Sequence, residues 1–135
     1  METMRAKDLY SFYGKSPVIQ GISFDLNPGE FLAILGRNGV GKTTLLKSIM
    51  GLTHRCDGGL VFGENDLLGL STSQRAQLGI AYIPQGREII PSFTVRENIL
   101  MGTFARPDGR RDIPEHLFEM FPILDEFISR KGGDL

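Results

Sequence analysis

Residues Gly36-Arg37-Asn38-Gly39-Val40-Gly41-Lys42-Thr43-Thr44 set three glycines, a lysine and two hydroxyls at one spacing, G-x-x-x-x-G-K-[ST]. Each residue type in that pattern has its own chemical use. Glycines let the backbone turn tightly and crowd N–H groups around an anion with no Cβ in the way. Lys42 sets a compact positive charge where the outer phosphates of a polyphosphate would lie, and the Thr43 hydroxyl can ligate Mg²⁺. A helix opening directly after the loop adds unsatisfied N–H groups and the positive end of its dipole. The spacing predicts a phosphate-binding P-loop that takes a nucleoside triphosphate.

Such a loop must be held between a strand and a helix. Phe31-Leu32-Ala33-Ile34-Leu35 is a continuous apolar run, as expected of a buried parallel strand. Thr44 to Met50 reads as the helix, with Gly51 at its C-terminal cap. Upstream, residues 5–13 and Val18 to Phe24 read as strands, and Asn27-Pro28-Gly29-Glu30 as the turn leading into the loop strand. Downstream, Asp57-Gly58-Gly59 reads as a turn into a short strand, Leu60-Val61-Phe62. Ser71-Thr72-Ser73 offers N-caps for a helix through Leu78, and Ile80-Ala81-Tyr82-Ile83 reads as a further strand stopped by Pro84.

The pattern turns helical further on. Thr94-Val95-Arg96-Glu97 is a capping box that predicts a helix to about Gly102. Residues 103–113 read as an exposed connection. Pro114 opens a segment with Leu117, Phe118 and Phe121 at helical spacing; Pro122 breaks it, and Ile123 to Ile128 forms one more amphipathic piece. Lys131 to Leu135 reads as a terminal turn.

With 135 residues, 41% hydrophobic and 23% charged, the composition is that of a globular domain. A net charge of −1 with no basic stripe argues against a nucleic-acid partner. The single Cys56 forms no internal disulfide, and no apolar stretch approaches the roughly 20 residues that cross a bilayer. His54 and His116 read as structural or exposed, and Cys56 as a packing or surface residue.

Tyr13-Gly14, the P-loop and Ile83-Pro84-Gln85 together resemble the N-terminal half of the ATP-binding subunit of an ATP-binding-cassette (ABC) transporter, over essentially the whole chain. The resemblance implies an α/β P-loop ATPase domain, with a β portion and P-loop core over residues 1–93 and the start of a helical subdomain over 94–135. It implies ATP and Mg²⁺ as ligands. Tyr13 would stack on adenine, Gly36 through Thr44 would hold the phosphates, and Gln85 would reach the attacking water and, with Thr43, the Mg²⁺. Arg87 and Glu88 either meet a transmembrane partner or are solvated charges. The implied partners are transmembrane permease subunits, a second ATP-binding subunit packed head to tail, and, indirectly, a periplasmic or extracellular solute-binding protein. The implied place is the cytoplasmic face of the inner (plasma) membrane, as a peripheral subunit.

Pro84 to Glu88 and Thr94 to Ile99 resemble the branched-chain amino acid and urea importer group, and Gln85, where amino-acid members often carry glutamate, favours the urea branch. The sequence departs from the family by lacking its signature motif, Mg²⁺-associated aspartate, catalytic glutamate and switch histidine. Phosphoryl transfer needs a positioned water and stabilised charge as well as a cradle. The chain therefore reads as a fragment that neither hydrolyses ATP nor folds well alone. A nucleotide-binding piece without catalysis and a non-transport cassette ATPase stay open as alternatives.

Overall fold

The computed structural model describes residues 2–86 and 88–134. Strand β1 (Met4–Tyr13) sets the plan of the first part, Met1–Tyr82. Alternation along it turns Met4 and Ala6 inward and then slips by one residue, so that Leu9 and Ser11 follow. The extra residue is Asp8, held at a φ of 46°, and the pairing of β1 shifts register at this point on both sides. This is a β-bulge, which keeps the apolar side chains on one face despite the odd spacing. Across from it lies Gly58 at φ 100°, where a Cβ would run into the Asp8 carbonyl. Asp57-Gly58-Gly59 is therefore not the expected turn: it is the middle of strand β3 (Arg55–Phe62), and Gly58 is there for close backbone approach.

β2 (Ser16–Leu26) pairs with β1 through the tight turn at Gly14-Lys15, and β4 (Asn65–Asp66) closes the other edge, giving the antiparallel order β2-β1-β3-β4. Helix α1 (Lys42–Ile49) places Leu45 in the core formed by Met4, Ala6, Leu9, Ile19, Leu60 and Leu67. Helix α2 (Thr72–Gln77) starts at the expected cap, with the Ser71 hydroxyl accepting from the Gln74 N–H and the Gln74 side chain accepting from the Ser71 N–H.

Two expected strands are absent. Residues 31–35 and 80–83 run without regular pairing. Phe31 is 93% exposed and Leu35 90%; Ile83 is 90% exposed, and only Ile34 and Ile80 pack against the core. An apolar run becomes a strand only when another strand offers its N–H and C=O groups. Among the described residues none lies beside either segment.

The second unit, Ile83–Leu135, carries helices α3 (Val95–Met101), α4 (Glu115–Met120) and α5 (Ile123–Phe127). Pro114 is the N-cap of α4 and Pro122 that of α5, as their missing N–H groups allow. The division falls after Tyr82, and residues 90–94 are bound into the second unit. The Asn98 amide donates to the Ile90 and Thr94 carbonyls (3.1 and 3.0 Å) and accepts from the Ile90 N–H (2.8 Å). Gly132 and Gly133 donate to the Phe93 and Pro91 carbonyls, and Val95 to that of Arg130. The expected terminal turn is thereby fastened, with one 3₁₀ turn at Gly132–Asp134.

The Thr94/Glu97 capping box forms in full. The Thr94 backbone and side-chain hydrogen bonds hold the Glu97 carboxylate below its ordinary pKa. A lowered folded pKa means that this contribution is complete above the usual carboxylate range and is lost as pH falls through the lowered value. Thr94→Ala is expected to cost about 1 kcal/mol. Faster amide exchange in α3 at neutral pH, and a smaller difference from wild type in acid, would be the readout.

Candidate functional site

The loop expected to bind phosphate is built by glycines at α1's start. Gly39 lies at φ 83° and Gly41, the N-cap residue, at φ 109°, a region that side chains other than glycine's rarely adopt. Gly41 also rests against β2, where a Cβ would come within 2.9 Å of the Ile19 Cδ1. No side chain caps the helix and no acidic residue occupies its first turn. Its first N–H groups are left for another acceptor, and the helix dipole gives that acceptor reason to be an anion.

The Lys42 ammonium folds back over the loop and donates to the carbonyls of Gly36 (2.7 Å) and Arg37 (2.6 Å). These bonds fix its charge against the loop backbone. Thr43 is exposed beside it and Thr44 half-buried, while Arg37, Asn38 and Val40 lie open on the loop. Mg²⁺ takes hard oxygen ligands, several of them phosphate and water. A free threonine hydroxyl beside a phosphate cradle fits that donor set, and no cluster of three or more His, Cys, Asp or Glu residues that could hold a metal exists among the described residues.

Tyr13 ends β1 at the same end of β2 that supports Gly41: it pairs with Ser16, two residues before Val18, which touches the position of a Gly41 Cβ. Tyr13 is 41% exposed. Gln85 is exposed on an irregular stretch before Gly86 (φ 90°) and belongs to the second unit. Glu88, at φ 40°, is exposed, and Arg87 lies outside the described residues.

Residues 19–135 match the family model described as ABC transporter. The chain belongs to the ABC transporter family. Over 126 residues this ABC protein is 31% identical to the high-affinity branched-chain amino acid transport ATP-binding protein BraG of Pseudomonas aeruginosa, covering 93% of the chain and 54% of the relative. It is 33% identical over 127 residues to the lipopolysaccharide export system ATP-binding protein LptB of Escherichia coli K12 (91% and 53%), and 40% identical over 97 residues to the ribose import ATP-binding protein RbsA of Bacillus subtilis (71% and 20%). The crystal structure of an ABC transporter's ATP-binding cassette in its ADP conformation superposes with a TM-score of 0.72 at 26% identity, covering the whole chain and 59% of the cassette. The chain thus has the ABC nucleotide-binding fold and spans about half the length of the curated relatives BraG and LptB.

Two side chains around this ABC cassette's helices escape sequence reasoning, Asn98 and Arg75, while His54 is exposed, within its expected reading as structural or exposed. Arg75 is only 4% exposed and closes the far end of α1, donating to the Ser48 and Ile49 carbonyls (both 2.8 Å) and the Leu70 carbonyl (3.0 Å). Burial pushes its guanidinium below the ordinary arginine value, opposed by Cys56 and Asp66. A Cβ on Gly51 (φ 71°) would sit 2.9 Å from its Cζ, so that glycine is both helix terminator and room for the arginine. Within a polar helix, Arg75 looks like one more solvated charge. Arg75→Met is expected to lower stability by roughly 1–3 kcal/mol, since buried carbonyls lose their donors. Thermal unfolding checks this, and Arg75→Lys should recover only part.

Proposed function

We propose that this chain is the nucleotide-binding part of an ABC importer's ATP-binding subunit. The observation that carries the reading is a lysine ammonium held by loop carbonyls at the start of a helix that no side chain caps, with Gly41 leaving no room for a side chain. In this reading residues Gly36 through Thr44 bind the ATP phosphates, Lys42 neutralises the outer ones, Thr43 ligates Mg²⁺ and Tyr13 stacks on adenine. The family resemblance assigns the attacking water and a share of Mg²⁺ to Gln85, which belongs to the other unit. Positioning and charge stabilisation do most of the work in phosphoryl transfer, and these residues supply the binding half of it.

The whole protein would couple ATP hydrolysis to uptake, paired head to tail with a second ATP-binding subunit and docked on permease subunits at the cytoplasmic face of the membrane, with a solute-binding protein delivering substrate outside. Among the described residues no helix is long and apolar enough to cross a membrane. Kinship with BraG favours branched-chain amino acids as cargo, and the segments Pro84 to Glu88 and Thr94 to Ile99 support that group. Urea rests on Gln85 alone. LptB and RbsA are similar enough that the ATPase does not choose the cargo by itself.

Lys42→Ala is expected to weaken Mg-ATP by roughly 1.5–3 kcal/mol, the range for charge-assisted hydrogen bonds. Titration with a fluorescent ATP analogue measures it, and equal affinities would end the phosphate reading. Tyr13→Ala should cost roughly 1–3 kcal/mol of ATP binding while Tyr13→Phe and Tyr13→Trp retain it.

A second reading, binding without turnover, is favoured by the exposed apolar side chains of Phe31, Leu35 and Ile83. It predicts that residues 1–135 expressed alone release no phosphate above a Lys42→Ala control and unfold without a sharp transition. Turnover with a cooperative melt would overturn it.

A further inference from the structure

His54 has no part in the site as described so far, yet it is attached to that site at two points. Its Nδ1 accepts a hydrogen bond from the Gly14 N–H at 3.0 Å. Its ring meets the Tyr13 ring edge-on, with centroids 6.0 Å apart and planes at 82°. The residue stands on the connection from α1 to β3, forty positions from Gly14 in sequence, so these contacts are long-range and fix tertiary geometry. Arg55, the next residue, places its guanidinium 4.2 Å over the Phe12 ring, and Phe12 and Arg55 are register partners between β1 and β3.

The turn that follows Tyr13 needs such a tie. Gly14 lies at φ 59° with open space around it, and Lys15 and Ser16 are exposed. Glycine gives this turn freedom that strand pairing beyond Tyr13 and Ser16 does not remove. A perpendicular contact occupies at most one face of the Tyr13 ring and leaves the other free for stacking. Acceptance at Nδ1 also fixes the tautomer, with the ring proton on Nε2.

We propose that His54 is a positioning residue for the base platform: it holds Gly14 and the Tyr13 ring so that the open face of Tyr13 is presented to a purine. The inference rests on the reading of Tyr13 as the adenine platform. His54 acts through Gly14 and Tyr13. Its effect belongs to the base and not to the phosphates. That separates it from a residue that merely stabilises the fold, whose loss would weaken every ligand of the site.

The test compares binding of Mg-ATP with binding of Mg-tripolyphosphate, which has no base, to the full chain. His54→Ala should weaken ATP about tenfold and leave tripolyphosphate unchanged. His54→Asn, whose amide oxygen falls near the place of Nδ1, should keep near-normal ATP affinity, while His54→Gln, whose oxygen falls near that of Nε2, should lose it. Combining His54→Ala with Tyr13→Ala should add nothing to the loss from Tyr13→Ala alone. Equal losses for ATP and tripolyphosphate, or Asn and Gln behaving alike, would overturn the proposal, and the Asn/Gln pair keeps it open to refutation should the alanine variant fail to fold. Loss with Tyr13→Ala but none with any His54 variant would overturn it while the platform reading stands. No loss with Tyr13→Ala would remove the platform itself.

Discussion

The first turn of helix α1 begins without a side-chain cap, and the architecture of the first unit serves that condition. An uncapped helix start is ordinarily a cost, since its leading N–H groups lack partners. Here Gly41 takes a left-handed φ that turns the chain sharply into the helix, against Ile19 and Val18 of β2, where no Cβ fits. The position of β2 depends on β1, whose bulge at Asp8 keeps Leu9 under the sheet, and the bulge depends on Gly58. At the other end, Leu45 anchors α1 in the core and Arg75 gathers its last carbonyls. The helix is thus pinned along its length while its opening turn is left vacant of protein ligands.

Much of this was legible in the residues. The loop pattern located its own helix, and the Ser71 and Thr94 caps announced helices that start within a residue of expectation, because capping is a local contest between one side chain and the next turn's N–H groups. Strand pairing is not local. The run Phe31 to Leu35 has the composition of a central strand, but composition does not supply a neighbour, and the segment stays unpaired with Phe31 and Leu35 facing outward. Gly58 misled in the opposite direction: a glycine pair beside an aspartate has turn chemistry, and only the approach of Asp8 from another strand reveals the reason for it.

The candidate site divides the same way. Lys42, Thr43 and the glycines could be named from spacing, whereas His54, Arg75 and Asn98 act on backbone groups dozens of positions away or across an irregular loop, and a polar residue satisfying a distant carbonyl leaves no periodic trace. The family resemblance placed Tyr13 and Gln85 at positions that neither composition nor alternation marks. The binding of residues 90–94 to Asn98 is a tie made by side-chain amide geometry, which no sequence pattern announces.

The Lys42 ammonium bonded to the Gly36 and Arg37 carbonyls has a thermodynamic corollary. In the proposed reading, anion capture at this loop is an exchange reaction. Existing contacts of the cation would be loosened or shared as phosphate oxygens arrive, so the affinity would be a difference between two solvation shells, one made of peptide oxygen and one of phosphate. The loop keeps its lysine from wandering in water, which lowers the entropy lost on capture, and it surrenders part of the enthalpy in return. Selectivity follows from that balance: a weakly charged or monodentate anion cannot outbid two carbonyls already in place, and a polyphosphate, with several oxygens and a higher charge, can.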